Sequence, residues 1–241
     1  MVDRFFLALD YRNEQEAVEH GSSALSFLRS EFADSIKGRV GVKINADLLT
    51  RSNGTLREFS DQGYEIFGDL KLAHDPAMGE SVVRHIMRGC TGTPFNYVTI
   101  FGGLGRTMLP EYQERLGNEM KLIAYTVHTK IDPVDVAGIY GTMNLDNVLL
   151  AMGGMASEAG FDAMVIDGRR LRNPEIQKLP IKKLVTGVRI RPEEQGDQSR
   201  MTLLDDLARM REHVDYVVIS SQYLGKDRRS DLARYFARLL G

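Results

Sequence analysis

Residues 5–13, Phe5-Phe6-Leu7-Ala8-Leu9-Asp10-Tyr11-Arg12-Asn13, decide between the two folds open to this chain. An apolar run of strand length gives way at once to charged and polar residues, with no glycine-rich turn behind it. An open doubly wound sheet that holds a dinucleotide favours such a turn after its first strand, so that phosphate can approach the backbone. Its absence favours a closed (β/α)8 barrel, the TIM barrel of the α/β class. Working outward, further runs rich in Val, Ile and Phe follow this first strand (5–10) at 40–45, 65–70, 97–101, 121–127, 161–166, 183–187 and 216–220. Between them, residues 13–32, 75–88, 108–116, 144–159 and 202–213 carry helical spacing with charged outer faces. Eight alternations in 241 residues suit a single barrel domain over 1–241, because parallel strands need helical crossovers and closure leaves no edge.

Composition narrows the function classes. Hydrophobic residues make up 43% and charged residues 27%, which sets aside disorder, collagen-like repeats and coiled coil. Thirty-one basic against thirty-three acidic residues leave a net charge of −2, so no broad field attracts nucleic acid or anionic lipid. Neither partner is expected, and any bound anion must be held locally. The single Cys90 cannot form an internal disulfide or furnish a cysteine-ligated zinc site. Charges interrupt the opening MVDRFFLALD where a signal peptide would be apolar, and no run approaches a membrane span. A cytoplasmic protein is expected, whose chemistry comes from carboxylates, lysines, arginines and histidines.

In a barrel, functional groups belong at the C-terminal ends of the strands. Asp10 closes the first run, Lys43 lies in the second, and Asp69 and Lys71 close the third. On an extended strand, positions i and i+2 share a face, so Asp69 and Lys71 should project together and four charges of alternating sign could converge. An isolated Asp-x-Lys is most often a surface ion pair; strand-end placement raises the functional reading. A second constellation follows the seventh run: Gly187-Val188-Arg189-Ile190-Arg191-Pro192, then Gly196-Asp197-Gln198-Ser199-Arg200. Close-approaching backbone N–H groups and a guanidinium suit a phosphate monoester, which barrels hold after strands seven and eight. The hydrophilic stretch 193–200 is long enough to serve as a lid. Of the five histidines, His74 and His128 fall beside strand ends, and none belongs to a spaced metal-ligand set, so no metal is expected.

Together these segments resemble orotidine 5'-monophosphate decarboxylase over nearly the whole chain. Leu7-Ala8-Leu9-Asp10 looks like that family's first strand, Val42-Lys43-Ile44 its second and Asp69-Leu70-Lys71 its D-x-K signature. Residues 98–108 are similar to its glycine-rich fourth-strand segment, and Val185-Thr186, Ile190-Arg191-Pro192 and Gly196-Asp197-Gln198-Ser199-Arg200 to its phosphate loop. The resemblance implies a homodimer that converts orotidine 5'-monophosphate to uridine 5'-monophosphate and carbon dioxide without a cofactor. Asp10 and Lys43 would contact the ribose, Asp69 would face the departing carboxylate, Lys71 would protonate C6, and Gln198 and Arg191 would hold phosphate. The chemistry is coherent, because loss of CO₂ leaves a vinyl carbanion without an electron sink, which a fixed ammonium can face and protonate.

The sequence also departs from the family pattern. The second aspartate of D-x-K-x-x-D is His74 here, with Asp75 one place later, and either would enter the partner subunit's site. Lys130 stands where a serine that reads the pyrimidine is expected, and Ser221 where an arginine grips phosphate. Arg189, additional to the family pattern, could reach that phosphate instead. Two alternatives stay open: a barrel enzyme of the magnesium-dependent sugar-phosphate decarboxylase and aldolase class, and a non-catalytic homologue that binds a phosphorylated metabolite.

Overall fold

The computed structural model describes residues 2–240 apart from 53, 55, 92, 93, 129, 130, 132, 143 and 196–200. Its strands are β1 (Arg4–Ala8), β2 (Val40–Asn45), β3 (Glu65–Leu72), β4 (Tyr97–Phe101), β5 (Lys121–Tyr125), β6 (Ala163–Asp167), β7 (Lys182–Thr186), β8 (Val188–Arg189), β9 (Thr202–Leu203) and β10 (Tyr216–Ile219). Eight of them close into a parallel barrel in the order β1-β10-β7-β6-β5-β4-β3-β2, while β8 and β9 form a separate two-stranded pair. The crossovers carry α1 (Glu14–Phe32), α2 (Ala46–Arg51), α3 (Arg57–Asp61), α4 (Pro76–His85), α5 (Gly105–Leu116), α6 (Pro133–Tyr140), α7 (Leu145–Glu158), α8 (Pro174–Lys178), α9 (Leu204–Ala208) and α10 (Arg229–Leu240).

Local chemistry explains the elements. Asn13 caps α1 by accepting the Glu16 N–H, acidic Glu14 and Glu16 occupy the first turn, and Ala17, Gly21, Ala24, Leu25 and Leu28 form the buried stripe. The amphipathic α10 lays Leu232, Tyr235, Phe236 and Leu239 inward, and the Phe236 ring lies 4.6 Å from that of Phe5 across the β1 seam. Residues 202–213 are not one helix as their spacing predicts. Thr202 pairs with Val188 and its N–H donates to Gly187, so tertiary pairing takes the first two residues for β9 before α9 begins.

The barrel interior is filled from below. Phe6, Phe67, Tyr97, Leu184 and Tyr216 point inward from alternate strand positions, with Phe6 and Tyr97 rings edge to face at 5.0 Å. A side chain at Gly41 would put a Cβ 2.6 Å from the Glu65 carbonyl and 3.2 Å from the Phe6 ring, so glycine makes room for this packing. Beneath the rings, Arg4 pairs with Glu65 at 2.9 Å, and Tyr216 donates to Asp162 at 2.7 Å. Packed rings below leave polar space at the C-terminal mouth.

Candidate active site

A cavity of about 540 Å³ opens at that mouth. The first charge enters later than expected: β1 stops at Ala8, and Asp10 stands two residues past its end. From there the charges alternate across three strands. The Lys43 Nζ lies 2.9 Å from Asp10 Oδ1 and 3.2 Å from Asp69 Oδ2, and the Lys71 Nζ lies 2.6 Å from the same Asp69 oxygen. Asn45 adds a donor to Asp10 at 3.2 Å. Lys43 is only 7% exposed. Burial opposes its charge, but Asp69 and then Asp10 more than offset that, and its ammonium sits above the ordinary lysine value. Burial likewise would raise the Asp69 carboxyl, yet Lys43 and then Lys71 hold it below the usual carboxylate range.

These opposite shifts set a pH window. The lowered Asp69 contributes stability that is present above its unfolded value, about 3.9, and lost as pH falls through its folded value. The raised Lys43 contributes stability that is present below about 10.4 and lost as pH rises through its folded value. The difference in unfolding free energy between the wild type and a Lys43→Met/Asp69→Leu variant should therefore be flat from about pH 4 to 10 and shift at both flanks. Denaturant titrations across pH check it; a difference that is constant at every pH would contradict the linkage.

Lys71 does not reach Asp69 by the flat i, i+2 geometry that the sequence suggests. Gly68 pairs with Val98 and Leu72 with Ile100, so residues 69–71 of β3 face Thr99 alone across a bulge. Lys71 takes a left-handed φ of +50°, uncommon for a residue with a side chain. Thr99, 1% exposed, fills the gap: its Oγ1 accepts the Lys71 N–H at 2.8 Å and donates to Asp69 Oδ1 at 3.1 Å. One hydroxyl thus ties the bulge to the carboxylate that holds both lysines. Thr99→Val should cost about 1–3 kcal/mol by orphaning the Lys71 N–H and should lower turnover about tenfold, with Thr99→Ser restoring most of both. Thermal melts and steady-state kinetics give the two readouts, and a Val variant with wild-type turnover would contradict the role.

The opposite wall carries the second constellation. Gly187 turns the chain out of β7 at a φ of +70°, which glycine adopts without strain, and it lines the cavity with Arg189 and Ser220. The Arg189 guanidinium donates from Nε to the Glu194 carbonyl and from Nη1 to the Val188 carbonyl, while Nη2 has no acceptor among the described residues. Two residues expected at the phosphate do not line this cavity. Arg191 stands outside the cavity, because its guanidinium is taken by Asp231 at 2.9 Å and Glu194 at 3.0 Å. Ser221, whose backbone carbonyl accepts the Tyr11 hydroxyl at 3.4 Å, is not among the lining residues either; Ser220 is the serine at the wall.

His74 and Asp75 are also outside this chain's cavity. Asp75 caps α4, accepting the Met78 N–H at 3.1 Å ahead of Pro76, and Tyr112 donates to the His74 carbonyl. The expected contributions of Lys130 and Gln198 lie outside the described residues. Thr99, Asn45 and Tyr125 are cavity residues that sequence reasoning did not single out. The Lys71 ammonium lies 5.7 Å from the Tyr125 ring centre. Alternation of inward positions along β4 and β5 from Tyr97 and Ile123 marks Thr99 and Tyr125 in retrospect. A hollow of about 580 Å³ at the opposite mouth is slightly larger, but its Lys182 and Asp162 neutralise each other, and it brings together no comparable chain of charges.

Comparison with known proteins gives a consistent result. The profile described as "Orotidine 5'-phosphate decarboxylase / HUMPS family" matches residues 3–233. The orotidine 5'-phosphate decarboxylase of Novosphingobium aromaticivorans is 29% identical over 204 residues, covering 83% of each chain. That of Pseudomonas putida is 31% identical over 166 residues, 66% of this chain and 69% of the relative. Among solved structures, orotidine 5'-phosphate decarboxylase from Lactobacillus acidophilus superposes with a TM-score of 0.69 at 18% identity, covering 98% of this chain and 99% of that one. The enzyme from Methanocaldococcus jannaschii, complexed with inhibitor BMP, gives 0.67 at 17% identity, covering 99% of both. These structural likenesses concern the fold.

Proposed function

Because this chain belongs to the orotidine 5'-phosphate decarboxylase / HUMPS family, we propose that it converts orotidine 5'-monophosphate to uridine 5'-monophosphate and carbon dioxide, a carboxy-lyase step of pyrimidine biosynthesis. The observation that carries the reading is the alternating row Asp10, Lys43, Asp69, Lys71 at the barrel mouth. The substrate's C6 carboxylate sits against Asp69, whose like charge disfavours it, and the phosphate lies across the cavity at Gly187 and Arg189. The bond from C6 to the carboxylate breaks with its electron pair left on C6, and CO₂ departs. The Lys71 ammonium transfers a proton to C6, becomes a neutral amine and regains a proton from water. Each charge is preorganised before the carbanion forms, which is where electrostatic stabilisation is most effective. No metal or organic cofactor enters this route.

A homodimer and a cytoplasmic location are part of the same reading. His74 and Asp75 sit exposed beside α4, where Met78 is 53% exposed, and Met108 on α5 is 37% exposed. Sedimentation showing a monomer at micromolar concentration would contradict the dimer. No helix among the described residues is long and apolar enough to cross a membrane. The function is tested by incubating the purified protein with orotidine 5'-monophosphate and no added metal. Loss of orotidylate absorbance with equimolar uridine 5'-monophosphate is expected. No turnover, or magnesium-dependent turnover of a sugar phosphate instead, would overturn it.

A further inference from the structure

The turn that follows β7 is fastened by a carboxylate that the proposed chemistry does not use. Glu194 Oε2 accepts the Ile190 N–H at 3.1 Å, the Arg191 N–H at 3.0 Å and the Tyr223 hydroxyl at 2.7 Å. Its Oε1 accepts from Arg191 Nη1 at 3.0 Å and from Arg228. Asp231, at the start of α10, binds both of the same arginines. Five donors on a side chain only 12% exposed are more than a surface ion pair collects. Burial would raise this carboxyl, but the Tyr223 hydroxyl, the two backbone N–H groups and Arg228 bring it down to about 2, so the clamp is charged at every physiological pH. The clamp also explains Arg191, whose guanidinium is spent on it. Its neighbour two residues earlier is aimed by it, because the Glu194 carbonyl receives the Arg189 Nε at 3.0 Å.

We propose that Glu194 is a positioning residue, whose carboxylate pins the turn after β7 to α10 and thereby holds the Arg189 guanidinium toward the 5'-phosphate of a bound nucleotide. The inference rests on the functional reading above and deepens it. Arg189 leaves β8 buried, with its Nε and Nη1 bonded to backbone carbonyls and its side chain among those that line the cavity. A long side chain held in this way loses little further freedom when phosphate arrives, and this preorganisation favours binding. The clamp makes no contact with Asp69 or Lys71 among the described residues, so its effect should be confined to the phosphate end.

Calorimetry with two probes, uridine 5'-monophosphate and uridine, separates the possibilities. Glu194→Gln keeps the shape and removes the charge; it should weaken the nucleotide about tenfold and leave the nucleoside unchanged. Arg189→Ala should weaken the nucleotide at least as much, and the double variant should be no worse than Arg189→Ala alone, as expected of two residues acting through one contact. In turnover, Glu194→Gln should raise KM with kcat nearly unchanged. If Glu194→Gln does not fold, Tyr223→Phe removes one donor to the same carboxylate and should weaken the nucleotide about threefold. Equal losses for uridine and its monophosphate would make the clamp merely structural and overturn the proposal. Loss with Arg189→Ala but not with Glu194→Gln would overturn the positioning alone. A wild type that binds no uridine 5'-monophosphate would remove the functional reading and this inference together.

Discussion

Lys71→Ala should lower the turnover of orotidine 5'-monophosphate by about 10³-fold or more, while nucleotide binding changes by less than about tenfold. The asymmetry follows from where the ammonium stands. It is 39% exposed, against 9% for the Lys43 side chain, so its removal leaves no large buried hole. Asp69 keeps Lys43 as a partner at 3.2 Å, so the fold should lose no more than about 1 kcal/mol. Alanine at this left-handed position pays no more backbone strain than lysine does. On the proposed route, only the proton and the charge that face C6 would disappear. Single-turnover kinetics beside calorimetry with uridine 5'-monophosphate measures both. A variant that turns over within tenfold of wild type would remove Lys71 from the chemistry, whatever else the barrel does.

The second large effect is at Asp69, where stability and activity fall together. Asp69→Ala leaves a Lys43 ammonium that is 7% exposed with Asp10 as its only ion-pair partner among the described residues. Breaking a buried pair in this way costs about 3–5 kcal/mol, and the retained Asp10 argues for the lower end. For a chain of this size that corresponds to a fall in Tm of about 6–12 °C. Thr99 loses its acceptor as well, and the Lys71 ammonium loses the carboxylate that fixes its direction. Turnover should therefore fall at least as far as in Lys71→Ala. Differential scanning calorimetry and the orotidylate assay test the two halves independently; an unchanged Tm would show that Lys43 is not held as described.

Much of this was legible because a barrel repeats one local rule. Each barrel strand is an apolar run bounded by polar residues, and the observed limits lie within two residues of the expected ones, matching them at β2 and β4 and departing by two at Ala8 and Leu72. Ionisable residues at the ends of such runs stand out, and Lys43, Asp69 and Lys71 could be read directly. What was not legible depended on contacts distant in sequence. Nothing in Arg189-Ile190-Arg191 says which arginine faces the cavity; the choice is made by Glu194 and by Asp231, forty residues on. Asp75 reads in the sequence only as a family signature; that it also caps α4 ahead of Pro76 comes from the structure, and the one role does not exclude the other. Thr99 is an ordinary strand former until the three-against-one pairing gives its hydroxyl two partners. The bulge has no marker in the sequence, since lysine is a poor choice for a left-handed backbone.

The packed rings under the mouth have a kinetic consequence. With Phe6, Phe67, Tyr97 and Tyr216 filling the bore and the ion pairs of Arg4 and Lys182 closing it beneath, the proposed route would let a hydron return to a spent Lys71 only through the doorway that admits the nucleotide. Recharging the catalyst and releasing the product would then share one passage, and the order of those two events sets how fast the next cycle begins.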